Sequence, residues 1–525
     1  MDPSGHPVNW GMRKSFNLLL FFLSAQLAYA LEPNSLFSDN VVLQRGMDVP
    51  IWGVAAANEE VTVKFAGQTV SGKADADGKW RVALKSLEAS AENRSMTISS
   101  GEKSKTIENV LVGDVWLGSG QSNMAGRVSS YAKNDPTLAK LVTDGPYPTL
   151  RLRGAGKWAV ADETSMTAFS AIHLAFGERL HRDLKVPIGL IFGAVGGTPS
   201  GAWIPSETYE SSEKCKAVIA EFAKTWDRDR AQKQAEAKLA AWEKQVAAAK
   251  AAGEKPRGRK PGPLFEPGAS TRGGKIGGLF DNHIRRNVGF AMRGVLWDQG
   301  EGGTGILGLD QHTSMSELIR GWRDLWGQGD FAFLFVQKPS GQGNAFSNDD
   351  PITREGDAFK ALPDITKIGN GEGRFLYTRL MLDNENSWMV PAIDLGSSIH
   401  PKNKWGYGNR AAQVAEQMVY EMDVQAYGPI YESHSSDGAK VTVHFSQVGE
   451  GLAVQHAESI QGFAVAGEDG VWHWAEATID GNAIVLSSEA VPAPKDVRYA
   501  WSQNRTFANL FNKAGLPALS FSTDQ

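Results

Sequence analysis

The residues best suited to chemistry in this chain lie where apolar runs stop. The stretch from Val110 to Met124 starts as a β-branched, apolar run and ends in Gly118-Ser119-Gly120-Gln121-Ser122-Asn123. That pattern predicts a buried strand which hands Ser122 to a loop or helix start. Its glycines permit a sharp turn, and a new helix offers free N–H groups beside the serine. Open α/β sheets place their ligands at this carboxyl edge.

A serine hydroxyl is a weak nucleophile at neutral pH, so it needs a base to take its proton and donors to hold an oxyanion. Among 10 histidines, His400 suits the base role best, because Asp394-Leu-Gly-Ser-Ser-Ile-His400-Pro401 again follows an apolar run, Met389–Ile393. His173 and His181 fall on a predicted helix, where packing is the default, and His434, His444, His456 and His473 fall in the C-terminal region; His283 and His312 keep a lesser claim. Two more runs end in useful groups. Ile191-Phe-Gly-Ala-Val-Gly196-Gly197-Thr198 offers accessible backbone N–H groups, and Trp297-Asp298-Gln299-Gly300-Glu301 offers an amide donor and an orienting carboxylate. Four such endings in one alternating pattern point to an acyl-transfer site.

The elements that must position these groups follow from periodicity. From Val110 to about residue 425, apolar strand-like runs alternate with helical stretches such as 171–184 and 314–326. Continuous apolar strands separated by helices predict an α/β unit with a parallel sheet buried on both faces. Residues 31–108 instead alternate with period two, with Asp77-Gly78 read as a hairpin turn between Val61–Phe65 and Trp80–Leu84, and residues 426–525 return to that texture. The expected organisation is therefore 31–108 all-β, 109–425 catalytic α/β and 426–525 all-β. Residues 206–270, rich in Ala, Lys, Glu and Gln and closed by a basic Pro/Gly loop, read as a helical insertion.

Composition narrows the class. In 525 residues a formal net charge of -5 gives no sign of nucleic-acid binding, and a single cysteine, Cys215, excludes an internal disulfide or a cysteine-built metal site. Met12-Arg-Lys14, the apolar Asn17–Leu27 and Ala28-Tyr29-Ala30 fit a signal peptide over residues 1–30, with Met1 or Met12 as the start. Its removal leaves no integral membrane segment and implies a secreted or periplasmic protein. Nothing in the sequence bears on oligomeric state.

Gly120-Gln-Ser-Asn-Met124, Gly196-Gly-Thr198 with Trp203, Trp297-Asp-Gln-Gly-Glu301 and Ile399-His-Pro401 resemble the blocks of the sialate O-acetylesterase family, within the wider SGNH/GDSL hydrolases. The opening Leu36–Arg45 and the closing Arg498–Trp501 share the likeness. The resemblance implies a flavodoxin-like SGNH core flanked by N- and C-terminal β-sandwich-like domains. It also implies hydrolysis of acetyl esters on sugar hydroxyls without metal or cofactor, and an acetylated carbohydrate as partner.

Carried over to this chain, Ser122 is the nucleophile and His400 the general base. The Ser122 N–H, the Gly196 or Gly197 N–H and the Gln299 side chain form the oxyanion hole. Many relatives place an Asp three residues before the histidine, where this chain has Ser397. The acid partner of His400 is then Asp394 or Glu301. Asn123, Trp203 and Trp501 are candidate substrate contacts, against core packing for both tryptophans. The alternatives to an O-acetylesterase are an inactive carbohydrate-binding or scaffold protein and a short-chain lipase or thioesterase on the same core.

Overall fold

The computed structural model describes residues 31–258, 260–262, 264–272 and 274–524. The expected signal peptide lies outside the described residues.

The organising element is strand β1, Lys103–Gly120, whose last ten residues are all buried. Its first half pairs antiparallel with Ser90–Ser100 of the N-terminal β region, and its second half enters the middle of the catalytic sheet. The remaining strands of that sheet are β2 (Tyr147–Arg153), β3 (Trp158–Ala161), β4 (Ile188–Ala194), β5 (Gly294–Asp298), β6 (Ala332–Val336) and β7 (Ser387–Val390), in spatial order β3-β2-β4-β1-β5-β6-β7. β2, β4, β1, β5, β6 and β7 run parallel. β3 runs antiparallel to β2 at the edge, so the sheet is mixed and not the purely parallel sheet expected. The antiparallel edge has a simple cause. β2 and β3 are joined by only Gly154–Lys157, too short for the helical crossover that a parallel pair needs.

Helices cover both faces. On one, α2 (Ala171–Leu184) sets Phe176 edge-on to Trp116 of β1, with ring centroids 5.1 Å apart. On the other, Trp322 of α4 (Gln311–Trp326) packs edge-on against Trp297 of β5 at 5.9 Å and Phe333 of β6 at 5.9 Å. Helix α6 (Lys404–Met418) crosses α2 where Gly408 brings the two backbones together. One continuous apolar core joins the N-terminal strands to the catalytic sheet, and a second core fills the C-terminal β region.

The insertion contains the helix α3 (Arg228–Ala251), which has no buried residue. Its one apolar stripe, Ala231, Ala235, Leu239, Trp242, Val246 and Ala249, is half-buried, and the other faces are mostly exposed, as a polar composition predicts. In the N-terminal region the hairpin lies one turn earlier than expected. Ala66-Gly67, with φ of 48° and 78°, joins Glu60–Phe65 to Gln68–Lys73, and Lys79–Leu84 pairs instead with Val49–Val54. Asp77-Gly78 is a turn held by the Asp75 side chain, which accepts from the N–H groups of Asp77 and Lys79 at 2.9 Å each.

Candidate active site

Ser122 opens the short helix α1 (Ser122–Ala125) directly after β1. Gly120 makes the turn with φ of 125°, a conformation that L side chains rarely adopt, and its Cα faces the Asp298 backbone with no room for a Cβ. Two backbone bonds lock this corner: Gln121 N–H donates to Asp298 O at 2.8 Å, and Val195 N–H donates to Gly120 O at 3.1 Å. The strand ends of β1, β4 and β5 are thus stitched together beneath the serine.

His400 arrives from the opposite side, in the loop between β7 and α6. Its Nε2 lies 2.9 Å from Ser122 Oγ, and its backbone N–H donates to Ser398 Oγ at 3.2 Å. The two residues singled out as nucleophile and base, 278 positions apart, meet at hydrogen-bond distance. Gly196 is exposed beside them, where a Cβ added to it would stand 3.6 Å from the Ser122 Cα, and Gly197 is exposed next to it with φ of 74°. The Ser122 N–H belongs to the first turn of a helix and has no intrahelical acceptor.

Neither proposed acid partner reaches His400. Asp394 is fully buried in a two-point pair with Arg410, Oδ1 at 3.1 Å and Oδ2 at 2.9 Å. Glu301 accepts from Gln121 Nε2, from Asn123 Nδ2 at 3.2 Å and from Lys338 Nζ at 2.6 Å. Among the described residues, the only side-chain hydrogen bond of His400 is the one to Ser122. Charge satisfaction is the physical reason. Each carboxylate has a buried cation closer than the imidazole, and a buried charge takes its strongest partner.

Gln299 is also buried, and its amide donates to Thr198 O at 3.2 Å and Gly303 O at 3.3 Å. It pins the loop that carries Gly196 and Gly197. Trp203 is fully buried, with its indole N–H on Thr198 Oγ1 at 3.1 Å, so it packs the core and offers no face to substrate. Asn123 is buried as well and is a bridge instead of a substrate contact. Its Nδ2 donates to Glu301 Oε1 and to Ile399 O, both at 3.2 Å, and its Oδ1 accepts from Lys404 Nζ at 2.6 Å. Trp501 sits in the C-terminal β region, apart from the serine and histidine, in a cleft of its own.

Beneath Ser122 lies a cluster of buried charges that sequence reading passed over in part. Lys338 Nζ pairs with Asp298 Oδ1 at 2.7 Å and Glu301 Oε1 at 2.6 Å. Burial pushes the Asp298 carboxyl above its usual range despite Lys338. At Glu301 burial pushes the same way but is outweighed by Lys338 and Gln121, and the group is held below its usual range. Burial pulls Lys404 down to about 7, partly opposed by the Asp298 charge. Lys338 follows β6, another apolar run with a polar ending, so the rule that found Ser122 and His400 extends to it. Lys404 carries no such signal, being one lysine among the 54 basic residues.

Residues 112–228 match the family model described as a carbohydrate esterase, sialic acid-specific acetylesterase. The sialate O-acetylesterases of Homo sapiens and Pongo abelii are 24% and 23% identical over 444 residues, covering 76% of this chain and 73% of theirs. The crystal structure of a carbohydrate acetylesterase from Xanthomonas citri superposes with a TM-score of 0.70 at 26% identity, covering 94% of this chain and 99% of that one. The family resemblance read from the motif blocks is thereby shown. The fold is a carbohydrate-esterase fold with a mixed α/β sheet and an added β-rich C-terminal region.

Proposed function

We propose that this carbohydrate acetylesterase relative removes O-acetyl groups from sugar hydroxyls through a Ser122 acyl-enzyme on an SGNH-type core. The observation that carries the reading is the 2.9 Å contact between His400 Nε2 and Ser122 Oγ at the carboxyl edge of the sheet. His400 takes the serine proton as Oγ attacks the acetyl carbonyl, then delivers it to the departing sugar oxygen. A water molecule repeats the sequence in reverse and releases acetate. The Ser122 N–H and the exposed Gly196 and Gly197 N–H groups are the donors placed to hold the oxyanion, while Gln299 fixes the glycine loop.

In this reading the site is a dyad with a scaffolded histidine. Among the described residues, no carboxylate is hydrogen-bonded to the imidazole. The Asn123 bond to the Ile399 carbonyl and the Ser398 bond to the His400 N–H hold the loop instead. Secretion accords with the signal-like residues 1–30, and no described helix is long and apolar enough to cross a membrane.

Purified protein should release p-nitrophenol from p-nitrophenyl acetate. Ser122→Ala and His400→Ala should each lower kcat by roughly 10,000-fold or more, and the double variant should fall no further, because the pair acts as a unit. Release by the wild type no faster than buffer would sink the esterase reading and favour a binding or scaffold role.

A further inference from the structure

The C-terminal β region carries its own cleft, remote in sequence from the catalytic loops. It is built on strands β8 (Phe463–Ala466), β9 (Trp472–Trp474) and β10 (Asp496–Tyr499), in which Ala464 stands opposite Trp474 on one side and Arg498 on the other. Alternation sorts the two faces. Val465 and Val497 point into the second core and are fully buried, while Trp472, Trp474 and Arg498 lie on the opposite face, where Trp474 is half-buried and packs edge-on against Phe507 at 5.5 Å. Gly462 and Ala464 leave a low floor between these walls, and Trp501 closes the far side. The cavity measures about 380 Å³, and Asn370 and Glu372 form its polar rim.

Arg498 is fixed in place between the tryptophans and the C-terminal strand. Its guanidinium lies 4.0 Å from the Trp472 ring centroid and 5.0 Å from that of Trp501, and it donates to Ser522 Oγ at 2.8 Å and Asp524 Oδ2 at 2.7 Å. The Trp474 indole N–H donates to Pro363 O at 2.9 Å. Trp472 and Trp474 are half-buried and Trp501 is nearly fully buried, and Arg498 and Pro363 fix their orientation on a face where sheet surfaces are ordinarily polar.

We infer that this cleft is a non-catalytic binding site for a neutral glycan chain, an inference that rests on the carbohydrate-esterase reading for the ligand class. Indole faces stack on the C–H faces of sugar rings, and the Asn370, Glu372 and Arg498 groups are the donors and acceptors that hydroxyls need. Charge selects neutral over acidic sugars. Asp524 already neutralises Arg498, and Glu372 adds a carboxylate to the rim, so a sugar carboxylate finds no free cation there.

The cleft is also tied to the catalytic loop. Gly371 packs on the Trp501 backbone, and Arg374 of helix α5 (Glu372–Asp383) donates to Gln503 O at 2.9 Å, Pro339 O at 2.7 Å and Gly341 O at 2.7 Å. Gly341 in turn lies against Gly396 and Ser397, which lead into His400. A chain held in the cleft is therefore anchored at a fixed offset from Ser122.

The test is calorimetric titration of the full chain with cellohexaose, xylohexaose and mannohexaose, with an oligogalacturonide as charged control. At least one neutral oligosaccharide should bind. Trp472→Ala and the exposed-rim variant Glu372→Ala should each weaken that binding about tenfold, the loss of one stacking or hydrogen-bonding partner. Both should keep p-nitrophenyl acetate turnover within about twofold, which shows that the fold is intact. The inference is overturned if no neutral oligosaccharide binds at about 10 mM, if binding survives both substitutions, or if the oligogalacturonide binds tighter. Oligosaccharide binding that both substitutions weaken, in a protein without esterase turnover, would sink the catalytic reading and leave the cleft standing.

Discussion

Asp394 and Glu301 show how a buried carboxylate's partner decides its role. Asp394 meets Arg410 at two points, both groups almost wholly out of water, and removing one member of such a pair leaves the other charge stranded. Asp394→Asn should therefore cost about 3–5 kcal/mol in stability while leaving the kcat of the folded fraction near wild type. Denaturant melts beside turnover normalised to folded protein separate the two effects. A collapse of kcat with unchanged stability would restore Asp394 as the acid partner of His400. Glu301 gathers Gln121, Asn123 and Lys338 under the nucleophile, so it acts by holding the serine corner. Glu301→Gln keeps the shape, loses the charge that Lys338 needs, and should lower kcat by roughly tenfold to a hundredfold with little change in KM, as expected for a misplaced reacting group. Full wild-type kcat would exclude that positioning role.

At the scale of elements, the site depends on two loops being held in register, and Asn123 is the clamp between them. It belongs to α1, yet its amide grips the carbonyl of Ile399, the residue before His400. Asn123→Ala should lower kcat about tenfold to a hundredfold with KM nearly constant. It should also cost about 1–3 kcal/mol, because Lys404 loses its acceptor. Unchanged kcat in steady-state kinetics would show that the histidine loop holds itself.

The elements were legible in proportion to how local their signals are. β1, β4, β5 and β7 stood out as apolar runs ending in Gly, Ser or Asp, and with them Ser122 and His400. The antiparallel β3 was not legible, since direction depends on the length of a short connection and not on the strand's own residues. Asp77-Gly78 has the composition of a hairpin turn, but its flanking strands have other partners, a choice made by long-range pairing. Sequence proximity offered Asp394 and Glu301 to His400, but it says nothing of Arg410 and Lys338, which hold those carboxylates in the structure. Those cations arrive from a helix and a strand end elsewhere in the chain.

For the whole molecule, the shared strand β1 makes the N-terminal and catalytic regions one structural unit, and acid should unfold that unit through two buried groups. Asp114, fully buried on β1, accepts from Gln44 at 2.7 Å, Arg45 at 2.8 Å and Arg293 at 3.1 Å, and the cations overcome burial to hold its carboxyl below the usual range. Its contribution is present above the ordinary carboxylate pKa and is lost as pH falls below about 4.

His173 acts earlier. It is buried on α2 against Gly118 of β1, stacked on Phe169 at 5.7 Å, with neither ring nitrogen hydrogen-bonded, and burial pulls its pKa from 6.5 down to about 3. Between those values the unfolded chain carries a proton that the folded chain refuses, so stability falls steadily as pH drops from 6.5 toward 3. From pH 7 to pH 5 the loss from this one group should be about 2 kcal/mol. His173→Leu fills a similar space without a titrating group, so the gap between its unfolding free energies at pH 7 and pH 5 should narrow by that amount relative to wild type. Urea melts of both proteins at the two pH values measure it. An equal gap in both would mean that His173 reaches solvent or a partner in the folded chain, and that acid sensitivity in this range arises elsewhere.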